Sequence, residues 1–182
     1  ARFPSASWLG GRALLVLGGI VMTVVLQSSS ATVAATITAL HAGTIDLPQA
    51  AALVIGQNIG TTTTAGLAGI GGSAAVKRTA LAHFLFNGLT GLVALLALTP
   101  LLSLLAAIEA RAGGVSDATA LAAFHTAFNV LGVALLFPFT RRFAAFVERL
   151  VPDHGPALER HLNVAATEVP AIGLVAARRT LA

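Results

Sequence analysis

The sequence predicts an all-α membrane protein: a re-entrant helical hairpin, one discontinuous transmembrane helix and two further spanning helices. Three observations carry that prediction. Hydrophobic residues make up 56% of the 182 positions and charged ones only 10%, against about 25% charged in soluble domains. No fixed charge falls between Arg12 and Asp46, from Leu47 to Val76, from Thr79 to Ile108 or from Ala118 to Thr140, and a helix needs about 20 apolar residues to cross roughly 30 Å of hydrocarbon. Two of these four blocks are interrupted by uncharged polar clusters, Gln27 to Ser30 and Gly56 to Thr64.

In the first block the apolar run Ala13 to Leu26 stops at Gln27-Ser28-Ser29-Ser30, and a second run, Ala31 to Leu40, follows at once. At 1.5 Å per residue the arms reach only about 21 Å and 18 Å, so each is expected to fall short of a crossing and the tetrad to form the tip of a hairpin. The rival is a single tilted helix with four polar residues at mid-depth. Non-helical backbone at depth is tolerated where it lines a cavity, which favours the hairpin.

The second block predicts a discontinuous helix from about Pro48 to Ile70. Gly56, Gly60 and the β-branched Thr61 to Thr64 weaken helix in its middle, and Pro48 suits its first turn. The third predicts one span, Val76 to Leu98, with Pro100 opening a further apolar piece to about Ile108 along the interface. The fourth runs from an N-cap at Ser116 to Phe137, with Pro138 at its exit. Residues 1–149 form the membrane unit. From residue 150 the composition turns polar and Pro152 to Pro156 signal a linker, so 150–182 are expected to be a cytoplasmic tail.

Basic residues come in pairs outside the blocks. Lys77-Arg78 and Arg141-Arg142 flank the third and fourth helices on one side, which marks that side as cytoplasmic and opens the hairpin to the outer face. The pairs suit this role better than a nucleic-acid footprint, and no nucleic-acid partner is expected. There is no Cys, hence no disulfide and no thiolate metal site. The chain opens on Ala1 without a basic stretch leading into a cleavable apolar core; no signal peptide is read, and the start reads as trimmed.

Gln27, Ser28, Ser29 and Ser30 offer amide and hydroxyl groups without fixed charge. Carbonyls freed at the end of the first arm suit a hard alkali cation, and N–H groups starting the second arm suit an anion. Gln57, Asn58, Thr61 and Thr62 repeat that arrangement. The structural alternative is that these hydroxyls only bond back to helix carbonyls or across helices. His83 with Asn87, and His125 with Asn129, place His and Asn at i and i+4 on oppositely directed helices, to fasten the bundle or to sense ions. A Ser–His hydrolase would need a base within reach and an oxyanion hole, neither of which the sequence fixes, so an enzyme is not expected.

The run Gln27 to Thr32, the run Gly56 to Thr62 and the run Arg78 to Asn87 resemble the type II sodium-dependent phosphate cotransporters, over roughly Gly10 to Arg149. In that family a Gln-Ser-Ser-Ser tetrad occurs in each of two inverted repeats. The resemblance implies that this chain carries one repeat, the second, and that its partner repeat is missing. It implies a multi-pass plasma (bacterial inner) membrane protein performing Na⁺-coupled phosphate symport without an organic cofactor. Gln27, Ser28, Ser29 and Ser30 would bind phosphate with Thr61 and Thr62. Na⁺ would take oxygens from Gln27, Ser28, Ser30, Gln57, Asn58 and Thr61. Two alternatives stay open: a transporter or channel for another small anion, and a non-transporting membrane module.

Overall fold

The computed structural model describes residues 3–111 and 113–153, and their regular secondary structure is all helical. The elements are α1 (Leu9–Leu26), α2 (Ser29–His41), α3 (Leu47–Gly60), α4 (Thr62–Gly69), α5 (Ala74–Leu96), α6 (Leu98–Arg111), α7 (Asp117–Leu136) and α8 (Thr140–Leu150), with a 3-10 turn at Phe137–Phe139. Most of the expected tail, residues 154–182, lies outside the described residues.

α1 and α2 form the expected hairpin. Gln27 reverses the chain in the left-handed region, at φ 50° and ψ 24°, and Ser28 is extended, its Oγ accepting from the Ala31 N–H at 3.3 Å to cap α2. Two contacts show that the arms run antiparallel. Thr23 Oγ1 lies 3.3 Å from Thr32 Oγ1 near the tip. At the open end Gln49, in the first turn of α3 after the short loop that leaves α2, donates through Nε2 to the carbonyl of Pro4, just before α1, at 2.8 Å.

The first arm is longer than predicted. α1 begins at Leu9 and takes in Arg12, whose guanidinium turns out of the apolar face to donate to Ala6 O and Thr99 Oγ1, both at 2.7 Å. Its 18 residues make about 27 Å, close to spanning length, whereas the 13 residues of α2 make about 20 Å and do not span.

α3 is the centre of the fold. Every residue from Ala50 to Gln57 is buried, as expected of a helix covered on all sides. A capping box starts it: Asp46 Oδ1 accepts from the Gln49 N–H at 2.8 Å, and the Asp46 N–H donates to Gln49 Oε1 at 2.9 Å, with Pro48 in the first turn as predicted.

α1 lies parallel to α3 with the two backbones in direct contact. A Cβ added at Gly19 would strike the Leu53 carbonyl, one at Gly56 the Val16 carbonyl, and one at Gly60 would come 2.7 Å from Thr23 Cβ. Gly56 and Gly60 are thus a small-xxx-small groove for a neighbouring helix. The sequence pattern assigns them to the interruption; the structure keeps both inside α3, where close packing of α1 offsets their helix cost of about 1 kcal/mol each. The interruption falls at Thr61 instead. Its angles stay helical, φ −60° and ψ −24°, so α3 and α4 meet at a brief lapse in the ladder rather than an unwound stretch.

α5 runs back along α3 and α4, with Gly91 against Ile55 and Ile59 and Gly69 against Ala80. α7 runs opposite to α5: Gly132 packs on Thr90, and Phe124 and Phe128 fill the core with ring centroids 5.5 Å apart. The break after α5 falls at Ala97 rather than Pro100, and Pro100 sits in the first turn of α6, where its missing N–H costs nothing. Prediction closes the fourth helix at Phe137, and the structure adds α8. Arg78 Nε donates to Val151 O at 2.9 Å, which puts both basic pairs at one end of the bundle.

Three helical stretches are long and apolar enough to cross a membrane: α1, α5 and the stretch from Asp117 to Leu150. Leu14, Leu17, Val21 and Val25 on α1 and Leu89, Leu92 and Leu96 on α5 are all exposed, an apolar surface that needs lipid or protein to cover it. This is a membrane protein.

Candidate functional site

The hairpin tip leaves backbone groups of both signs open. At the end of α1, Thr23 O accepts from the Gln27 N–H at 2.8 Å and Val24 O from Gln27 Nε2 at 2.6 Å. The Val25 and Leu26 carbonyls come next, at the negative end of the α1 dipole. At the start of α2 the Ser28 cap takes the Ala31 N–H. The N–H groups of Ser29 and Ser30, and both their hydroxyls, have no hydrogen-bond partner among the described residues. An anion could take those donors and a cation those carbonyls, within one turn of chain.

Behind the tip lies a buried polar cluster. Gln57 is only 1% exposed, and its Nε2 donates to Thr36 Oγ1 at 2.7 Å and to Thr32 O at 3.2 Å. Thr32 Oγ1 donates back to Ser29 O at 2.8 Å and faces Thr23 Oγ1. Gln57 therefore ties the centre of the fold to the second hairpin arm. Its Oε1 is buried with no partner among the described residues. A desolvated carbonyl oxygen left unpaired costs about 1–3 kcal/mol, and a bare cation is the kind of ligand that removes that cost.

The other predicted residues fall in a second group. Asn58, one residue on from Gln57 and so about 100° round the helix, turns to α5 and donates through Nδ2 to Asn87 Oδ1 at 2.7 Å. Asn87 Nδ2 donates in turn to the His83 carbonyl at 3.0 Å, and Asn129 Nδ2 to the His125 carbonyl at 2.9 Å. Each His–Asn pair thus closes a local loop on its own helix, and Asn87 adds a bridge to α3. The His125 ring lies 5.3 Å from that of Phe128. Among the described residues no hydrogen bond joins Ser28, Ser29 or Ser30 to Asn58.

The threonines after the glycines bond backwards. Thr61 Oγ1 donates to Asn58 O at 2.6 Å and Thr62 Oγ1 to Ile59 O at 2.8 Å. With their protons committed, these hydroxyls present lone pairs, a state that suits a cation and not an anion. Thr23, Thr32 and Thr36 are members of the buried cluster that sequence reasoning misses. Their signal is the Thr32-x-x-x-Thr36 spacing, one stripe of α2 aimed at α3. A separate cleft of about 510 Å³ lies at the opposite end, between Arg12, Asp46 and Thr99, and shares no residue with the tip.

A Na+/Pi-cotransporter family model matches residues 6–142. The chain belongs to that family. It is 34% identical to the uncharacterized protein YqeW of Bacillus subtilis over 141 residues, 78% of this chain and 32% of that protein. It is 46% identical to human sodium-dependent phosphate transport protein 2C over 92 residues, 48% of this chain and 15% of the relative. The "Putative inorganic phosphate export protein YjbB" of Escherichia coli is 34% identical over 182 residues, 97% of this chain and 32% of its own length. The chain thus spans a third or less of these family members. No solved structure matches it.

Proposed function

We propose that this chain is part of a transport domain that moves inorganic phosphate across the plasma membrane with Na⁺, and that residues 1–149 are the repeat that carries the hairpin. Support comes from family membership joined to the chemistry of the tip. Phosphate takes the open N–H and hydroxyl donors of Ser29 and Ser30 at the start of α2, with Ser28 and Gln27 completing the turn. Na⁺ takes oxygens at the end of α1 and from Gln57, while Asn58, Thr61 and Thr62 offer further lone pairs at the α3–α4 joint.

The single observation that carries the reading is the unpaired buried Gln57 Oε1 directly behind an uncharged tip with both open donors and open acceptors. With no Lys or Arg from Ala13 to Val76, this hairpin and α3 offset anion charge at the tip through helix ends, hydroxyl donors and co-bound Na⁺. That requirement is a physical basis for coupling. A second repeat with its own tetrad would face this hairpin, and movement of the hairpin with α3 as one body would alternate access.

One relative is named a sodium-dependent phosphate transport protein and another a putative inorganic phosphate export protein; symport with Na⁺ entering down its gradient corresponds to uptake. The test is radiolabelled phosphate flux in proteoliposomes made with the whole gene product. Ser29→Ala should abolish most Na⁺-dependent flux at normal expression. Unchanged flux in that variant refutes the site. Competition by sulfate or dicarboxylates equal to that by phosphate would move the assignment to another small anion.

A further inference from the structure

Beyond Leu136 the chain has used up its span. The 20 residues of α7 make about 30 Å, the thickness of the hydrocarbon, so Phe137 stands at the bilayer edge and α8 lies past it. α8 has an apolar stripe, Phe143, Phe146, Val147 and Leu150, at helical spacing. Of these only Val147 is buried, where α8 packs on α5. Phe137 is 76% exposed, and Phe139, Phe146 and Leu150 about half.

Cations stand beside this apolar surface. Arg141, Arg142 and Arg149 lie on α8, and the Arg78–Val151 bond brings the start of α5, with Lys77 and Arg78, to the same place. Against these five basic residues the segment carries two acidic ones, Glu148 and Asp153. Phe137, Pro138, Phe139, Thr140, Arg141 and Arg142 line an open cleft of about 750 Å³, which pairs aromatic side chains with two guanidinium groups.

We propose that this end of the molecule binds anionic phospholipid, the headgroup phosphate in the cleft against Arg141 and Arg142 and the acyl chains along Phe137, Phe139 and Phe146. The ligand has to be both anionic and apolar. A free oxyanion would leave the three phenylalanines uncovered, and an acidic soluble protein would have to displace headgroups from the level at which Phe137 sits. A phospholipid satisfies both surfaces at once: Arg binds phosphate oxygens through two parallel N–H donors, and basic residues at the membrane surface are drawn to anionic lipid. This surface shares no residue with the hairpin tip and does not depend on what the tip carries.

The test uses the whole gene product, equilibrated in mixed micelles of phosphatidylcholine and phosphatidylglycerol and washed, with retained lipid counted by mass spectrometry. Phosphatidylglycerol should be retained over phosphatidylcholine. Arg141→Gln with Arg142→Gln should lower its retention by about 30-fold, from the attraction of two basic side chains to an anionic surface, while Arg141→Lys with Arg142→Lys should keep most of it. Ser29→Ala should retain phosphatidylglycerol as the parent does, so a failed transport site leaves this result standing. Equal retention of the two lipids, or no change in the Gln variant, would overturn the proposal. So would displacement of the lipid by inorganic phosphate, or retention that appears only after residues 154–182 are removed. If the Gln variant does not fold, the ratio of the two lipids on the parent protein decides alone.

Discussion

Replacing Gln57 with Met separates a ligand from a clamp. Met has the same unbranched shape, so the perturbation is chemical and not steric. Two donated bonds are lost, to Thr36 Oγ1 and Thr32 O, at about 1 kcal/mol each. Thr32 O keeps the Thr36 hydroxyl at 3.0 Å, and Thr36 Oγ1, which loses its donor, keeps that bond as the donor. Against that loss, removal of the unpaired Oε1 returns about 1–3 kcal/mol. The two terms nearly cancel, and thermal unfolding should move little. Loss of a carbonyl ligand to a cation is different: at about 1.5–3 kcal/mol for a bond to a charged group, the Na⁺ concentration for half-maximal phosphate uptake should rise about 10-fold or more. The assay is uptake against Na⁺ in proteoliposomes, with unfolding of the same samples in parallel. Intact uptake with unchanged Na⁺ dependence refutes the ligand role. A large fall in thermal stability with unchanged Na⁺ dependence makes Gln57 a clamp between α3 and α2.

Gly56→Ala would drive a methyl group into the Val16 carbonyl and should destabilise by about 1–3 kcal/mol, whereas Gly66→Ala, with open space around it, should be neutral or stabilising by up to about 1 kcal/mol; thermal unfolding in detergent compares them. Asn87→Leu strands the Asn58 amide and should cost about 1–3 kcal/mol, while Asn58→Leu with Asn87→Leu should cost clearly less than the two single changes added together. Additive effects in that cycle would show that the 2.7 Å bond contributes nothing.

The hairpin is legible because an uncharged polar tetrad interrupting an apolar run has few other uses. Its arm lengths are less so: Arg12 looks like an outer boundary, and only the Ala6 carbonyl and Thr99, one of them 87 residues away, explain how it joins α1. Gly56 and Gly60 mislead for a related reason. Intrinsic propensity marks glycine as a weak point, but a neighbouring backbone at contact distance reverses that sign, and nothing local announces the neighbour. Gln57, one of the predicted ligands, is buried in the polar cluster with Thr32 and Thr36. Thr32 and Thr36 escape notice because threonine commonly bonds to its own helix, and both do so here; only the position of Gln57 gives them a second role. α8 is hidden when the charged residues after Phe137 are read as an exit, although Phe143, Phe146, Val147 and Leu150 already carry the helical period.

The glycine contact between α1 and α3 acts as a ruler. With no side chain between the two backbones, a slip of one residue would put Ile55 or Gln57 in the place of Gly56, or Ile20 in that of Gly19, and bulk would collide with carbonyl oxygen. The height of Thr23, and through it the spacing of Thr32 from Gln57, is therefore dictated one to two turns away by atoms that never meet cargo. Discrimination between small and large alkali ions at such a cluster would be tuned from dry, distant positions as much as from the oxygens themselves.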